Sequence, residues 1–102
     1  MNAKQKYVLG IIFNTSLSNV LLIKKNKPDF IDYQLNGIGG KVEKGELPNK
    51  AMVRECKEEC GLDIKDWDLF CVLFNQKANF EIFCYYALSN EIYNYKQLEE
   101  EE

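Results

Sequence analysis

The chain has 102 residues, a length that makes one small domain spanning residues 1–102. Hydrophobic residues make up 46% of it, with six Phe, six Tyr and one Trp, which supplies a core and excludes wholesale disorder. The net charge of −3 carries no general affinity for a nucleic-acid backbone, no apolar run approaches the length of a membrane span, and residues 1–5 lack a secretory-signal pattern, so a cytoplasmic protein is expected.

Residues 7–13 are an apolar, β-branched run that predicts a buried strand. Residues 15–19 are polar and turn-like, and 20–23 predict a second strand running into Lys24 and Lys25. The two strands are expected to form an antiparallel hairpin. Residues 26–33, with Pro28 and two aspartates, predict a loop. Residues 35–42 are Gly-rich and offer short strand segments at most. Residues 48–60 carry the clearest helix. Pro48 suits its first position, where a missing N–H is no loss, and Gly61 suits the left-handed position after the last turn. Leu47 stands where Ser or Thr would cap, so this N-terminus is weakly capped. Residues 67–74 and 79–88 predict two more strands around a turn at 76–79. Residues 89–102 are polar and weakly helical, ending in four glutamates.

Cys56, Cys60, Cys71 and Cys84 all lie inside apolar or helical patterns, which suits reduced, mostly buried thiols. A zinc site would call for C-x2-C spacing or histidine, and the chain has neither.

On the helix each residue advances about 100°, so Glu55, Glu58 and Glu59 fall within an arc of about 100°. Met52, Val53, Cys56 and Cys60 are expected on the other side, packed on a sheet. Like charges at this spacing repel by a few tenths of a kcal/mol per exposed pair, and a divalent cation turns that repulsion into binding. Magnesium accepts a few carboxylates together with phosphate and water oxygens. A solvated acidic face is the plain alternative. Glu43 and Glu46 add negative field near the helix start. Arg54 is the cation beside this face, and its planar fork suits holding a carboxylate in a fixed orientation; an ordinary surface ion pair is the alternative.

Residues 40–62 read G-K-V-E-K-G-E-L-P-N-K-A-M-V-R-E-C-K-E-E-C-G-L. They fit G-x5-E-x7-R-E-U-x-E-E-x-G-U, where U is bulky and apolar. The fixed positions are Gly40, Glu46, Arg54, Glu55, Glu58, Glu59 and Gly61, with Cys56 (an atypical choice) and Leu62 in the U slots. Seven fixed positions match by chance about once in 10^9 starts. The segment resembles the Nudix box of hydrolases that cleave nucleoside diphosphates linked to another group. The resemblance implies an α/β fold, a Nudix-like α/β/α sandwich with a mixed β-sheet. It also implies a loop–helix–loop catalytic motif and Mg2+ or Mn2+ as cofactor. Glu55, Glu58 and Glu59 match the family's metal ligands, and Gly39 matches a position that often offers a backbone carbonyl to the metal. The base is one of these glutamates or one from a later loop, with residues 99–102 as candidates. Arg54 completes the catalytic set.

Upstream, Asn36-Gly37-Ile38-Gly39-Gly40-Lys41 is similar to the N-G-x-G-G-K segment of oxidised-purine nucleoside triphosphatases. There the Asn contacts the base, and Asn36 takes the matching position; a tight turn is the alternative. Gly40, Lys24 and Lys41 are candidate substrate contacts, and Phe30 or Tyr33 could stack on a base. The implied partner is a nucleotide, most directly a nucleoside triphosphate cleaved to monophosphate and pyrophosphate. ADP-ribose, a dinucleoside polyphosphate or a capped RNA stays open, as does a non-catalytic nucleotide-binding module. Family members usually carry a further strand and a closing helix, so that helix is expected to be missing or shortened here. Part of the sheet would then be exposed, and homodimerisation is one way to cover it.

Overall fold

A computed structural model describes residues 4–25 and 34–95, with the backbone alone for 24–25 and 34–36. In chain order the elements are β1 (Gln5–Phe13), β2 (Val20–Leu21), β3 (Ile23–Lys25), β4 (Gln34–Asn36), β5 (Ile38–Lys41), α1 (Pro48–Cys60), β6 (Asp68–Asn75) and β7 (Phe80–Leu88). A short 3-10 helix, Asn90–Asn94, follows, capped by Ser89, whose hydroxyl accepts from the Glu91 N–H. Among the described residues, no helix is long and apolar enough to cross a membrane.

β1 is the centre of a mixed sheet. One of its edges runs parallel to β7, with Val8 beside Phe83, Gly10 beside Tyr85 and Ile12 beside Ala87. Its other edge is shared by two antiparallel partners: β2 takes Ile12 and Phe13, and β5 takes Tyr7 to Gly10. Alternation along β1 then sorts the side chains. Val8, Gly10 and Ile12 are buried, whereas Tyr7, Leu9, Ile11 and Phe13 are half-buried. The buried set faces α1. A methyl group on Gly10 would lie 2.5 Å from Met52 Cε and 2.9 Å from Trp67 Cζ3, so Gly10 is the notch into which the helix seats. Met52, Cys56 and Cys60 from α1 are fully buried in this core with Ile12 and Ile38.

The shared edge explains one departure from the expected hairpin. Residues 20–23 were predicted as one strand, but the strand breaks at Leu22 into β2 and β3. Continued along β1, Ile23 would reach Gly10, and that position is already taken by Ile38 of β5. The chain instead leaves β1 and pairs β3 with β4, Ile23 opposite Asn36 and Lys24 opposite Leu35. The helix ends fall where Pro48 and Gly61 place them. Leu47 makes no side-chain cap, and Gly61 has φ 73° with its N–H on the Lys57 carbonyl.

β6 forms the far edge of the sheet, antiparallel to β7. Leu69, Phe70, Val72, Leu73 and Phe74 on it are all exposed, in line with the expectation of a partly uncovered sheet. Among the described residues α1 is the one α-helix, and the weakly helical stretch after β7 is represented by the 3-10 helix.

Met52→Ala should lower unfolding stability by about 2–5 kcal/mol in urea titration. Gly10→Ala alone should cost about 1–3 kcal/mol, and clearly less in the Met52→Ala background, because the methyl then occupies vacated space.

Candidate active site

The register of β5 against β1 and the helical period of α1 together bring Gly39 and Gly40 alongside Glu55 and Glu59. Glu55 and Glu59 are buried, at 9% and 6% exposure. This corrects the expectation of an acidic face opposite an apolar one. On a helix Met52 lies only about 60° from Glu55, so the apolar and acidic sets share a flank. The Gly39 N–H donates to Glu59 Oε1 at 3.4 Å. A methyl group on Gly40 would sit 2.5 Å from Glu55 Oε2, and one on Gly39 would sit 2.0 Å from the Val8 carbonyl oxygen. The two glycines therefore let a strand approach β1 on one side and a helix carboxylate on the other.

Arg54 ties the site together. Its Nε and Nη2 donate to both oxygens of Glu46, at 2.8 and 3.0 Å, in a fork-to-fork pair. Nη1 donates to Glu55 Oε2 at 2.9 Å and to Glu58 Oε1 at 3.3 Å. Nη2 also donates to the Lys41 carbonyl at 3.0 Å, and Glu43 lies 3.9 Å from Nε. Hydrogen bonding to Glu46 raises the Arg54 pKa well above its ordinary value, and the same bond lowers that of Glu46. One guanidinium thus faces Glu43, Glu46, Glu55 and Glu58, which leaves surplus negative charge for a cation. Burial pushes the Cys56 and Cys60 thiols up to about 12 and about 11, so they are inert packing groups beneath the carboxylates.

Glu58 differs from its two neighbours. Its side chain is 43% exposed and turns to Arg54. Among the described residues no three His, Cys, Asp or Glu side chains are gathered as a ready cation site, and Glu58 is drawn toward Arg54. The buried pair at Gly39–Gly40 nevertheless offers hard oxygen donors, which fits a magnesium-type ion whose other ligands are water and phosphate. Lys41 enters the site through its carbonyl, its side chain being exposed. Asn36 and Lys24 sit on the β3–β4 pair, and their side chains lie outside the described set. Phe30, Tyr33 and residues 99–102 also lie outside the described residues.

A family model described as the NUDIX domain matches residues 3–102. The chain belongs to this family. It is 33% identical over 67 residues to the 8-oxo-dGTP diphosphatase of Escherichia coli K12, covering 66% of this chain and 51% of that protein. It is also 33% identical over 88 residues to the m7GpppN-mRNA hydrolase of Saccharomyces cerevisiae S288c, covering 83% of this chain and 9% of that one. The chain thus spans about half or less of the length of these curated relatives. A solved structure from work on MutT of Aliivibrio salmonicida and Vibrio cholerae superposes with a TM-score of 0.68 at 32% identity, over 80% of this chain and 63% of that one. A mixed sheet bearing the Nudix box on its helix is therefore the fold of this chain.

Glu46 is the residue whose part the sequence reading understated. The sequence suggests an added negative field there, and the structure makes it the main partner of Arg54. The signal was present, since Glu46 is a fixed acidic position eight residues before the arginine, across the helix N-terminus.

The Glu46 carboxyl is held below its ordinary 4.5 by Arg54. Such a group stabilises the fold above its unfolded pKa, and this stabilisation is lost as pH falls below 4.5 toward the folded value. Glu46→Gln should therefore lower the urea midpoint at about pH 7 and change it much less at about pH 3.

Proposed function

We propose that this chain hydrolyses a nucleoside diphosphate-linked substrate, with nucleoside triphosphates, oxidised purine forms among them, as its first class. The observation that carries the reading is the buried pair Glu55, held by Arg54, and Glu59, held by the Gly39 N–H, beside the Gly39–Gly40 backbone. Glu55, Glu59 and the Gly39 carbonyl are the groups that would hold Mg2+ or Mn2+, and Glu58 would join them by turning from Arg54. When bound, the ion supplies neutralisation of pyrophosphate charge and acidification of water.

The chain's own residues do the rest. Arg54 fixes the Glu55 carboxylate, so this group arrives oriented and costs little reorganisation. Gly40, with no side chain, lets the Glu55 carboxylate lie directly against the strand. Glu58, partly exposed and on a long arginine contact, is free enough to take a proton from an attacking water; Glu59 is the alternative base. Water adds at phosphorus, the anhydride P–O bond breaks, and a triphosphate yields monophosphate and pyrophosphate. Asn36, at the end of β4, is the group we assign to the base edge. The similarity to an 8-oxo-dGTP diphosphatase supports the triphosphate class, and the similarity to an mRNA hydrolase keeps capped RNA as the second substrate to test.

The deciding experiment is phosphate and pyrophosphate release over a panel of dGTP, 8-oxo-dGTP, ADP-ribose, a dinucleoside polyphosphate and capped RNA. Turnover is expected with Mg2+, lost in chelator and restored by Mg2+ or Mn2+. Glu58→Gln and Glu59→Gln should each lower kcat, the one that is the base by about 10^2–10^4-fold, with unchanged circular dichroism. Nucleotide binding without turnover on every substrate would instead identify a binding module.

A further inference from the structure

The four cysteines fall into two pairs of opposite character. Cys56 and Cys60, one turn apart on α1, are at 0% exposure and have no access to solvent reagents. Cys71 and Cys84 stand directly opposite each other in the antiparallel register of β6 and β7. Such partners hold their Cβ atoms about 4.5–5.5 Å apart, close to the spacing a disulfide bridges. Burial raises the Cys84 pKa first, and the neighbouring Cys71 thiol adds to the rise; the Cys84 thiol donates to the Ile82 carbonyl at 4.0 Å. Cys84 is buried, while Cys71 is half-buried on the edge strand, so one thiol of the pair is reachable and the other stands behind it. The register is irregular between Leu69 and Cys71, which loosens the ladder where the sulfurs must move.

We propose that Cys71 and Cys84 form a thiol–disulfide exchange site, which a small-molecule disulfide oxidises to a cross-strand bridge. The Cys71 thiolate attacks one sulfur of the reagent, a mixed disulfide forms, and one small thiolate leaves. The Cys84 sulfur then attacks Cys71 Sγ, forms the bridge and expels the second small thiolate. The two protein thiols are oxidised, the reagent is reduced to two thiols, and the two protons lost by the protein go to them. Cys71 is the entry sulfur and Cys84 the resolving one. The bridge pins the edge strand β6 to β7 and lies outside the Arg54 network. This inference does not rest on the proposed hydrolase activity.

The test uses the intact folded chain and oxidised glutathione, followed by an acid quench, alkylation in denaturant and mass spectrometry. Alkylatable thiols should fall from the four of the sequence to two, with no retained glutathione and a peptide linking Cys71 to Cys84. Cys84→Ala should keep one glutathione on Cys71, and Cys71→Ser should not react. A wild-type chain that retains a glutathione adduct, links through Cys56 or Cys60, or keeps all four thiols overturns the proposal.

Discussion

The site depends on one guanidinium. Arg54 joins three pieces of chain: the loop carrying Glu43 and Glu46, the strand end at the Lys41 carbonyl, and its own helix through Glu55 and Glu58. A lysine could not replace it, because an ammonium cannot present a planar fork to Glu46 while donating sideways to Glu55. The strong pair is the one with Glu46. It anchors the guanidinium at the helix start, and the remaining N–H groups then point along the helix at the carboxylates. Glu46 is thus the support of Arg54, and Arg54 the support of Glu55.

That arrangement sets a local conflict. Burying a carboxylate is unfavourable unless it is paired or hydrogen-bonded, and α1 buries two in its packing flank. Arg54 compensates Glu55, and the Gly39 N–H reaches Glu59. Cys56 and Cys60, fully buried beside them, have raised pKa values partly because Glu59 stands nearby. A helix selected only for stability would carry apolar residues at 55 and 59. Holding anionic oxygen in a nearly dry setting is what a site for a cation and a polyphosphate needs, since Coulombic attraction strengthens as water is excluded.

Much of this was legible in the sequence, and the limits have physical causes. Local rules placed α1 to the residue, because Pro48 and Gly61 mark its ends independently of tertiary context. The strands at 67–74 and 79–88 came within a residue or so, since their apolar runs are bounded by a turn. The break at Leu22 was not legible. It follows from competition between β2 and β5 for one edge of β1, and competition between distant segments leaves no local mark. Within the site, the residue types were correct but their exposure was not. Helical phase alone cannot say which flank of α1 meets the sheet. That is decided by the notch at Gly10, which draws Met52 inward and carries Glu55 and Glu59 with it.

The same competition bears on specificity. β5 is locked to β1 over four positions, from Tyr7–Lys41 to Gly10–Ile38, so Gly39 and Gly40 are held by the central strand of the sheet. Asn36 and Lys24 belong to the separate β3–β4 pair, which forms where the chain leaves β1 after β2. The glycines that would meet a pyrophosphate therefore sit on the central sheet, and the glutamates on the helix packed against it. Asn36, the residue assigned to the base, sits with Lys24 on a two-stranded unit joined to that sheet through Leu22 and Gly37. Two-stranded units have little stability of their own, so their sequence and pairing can change without disturbing the Arg54 network. The carboxylate–glycine centre and the strand carrying Asn36 are thus anchored to different sheets, and a change in one need not propagate to the other.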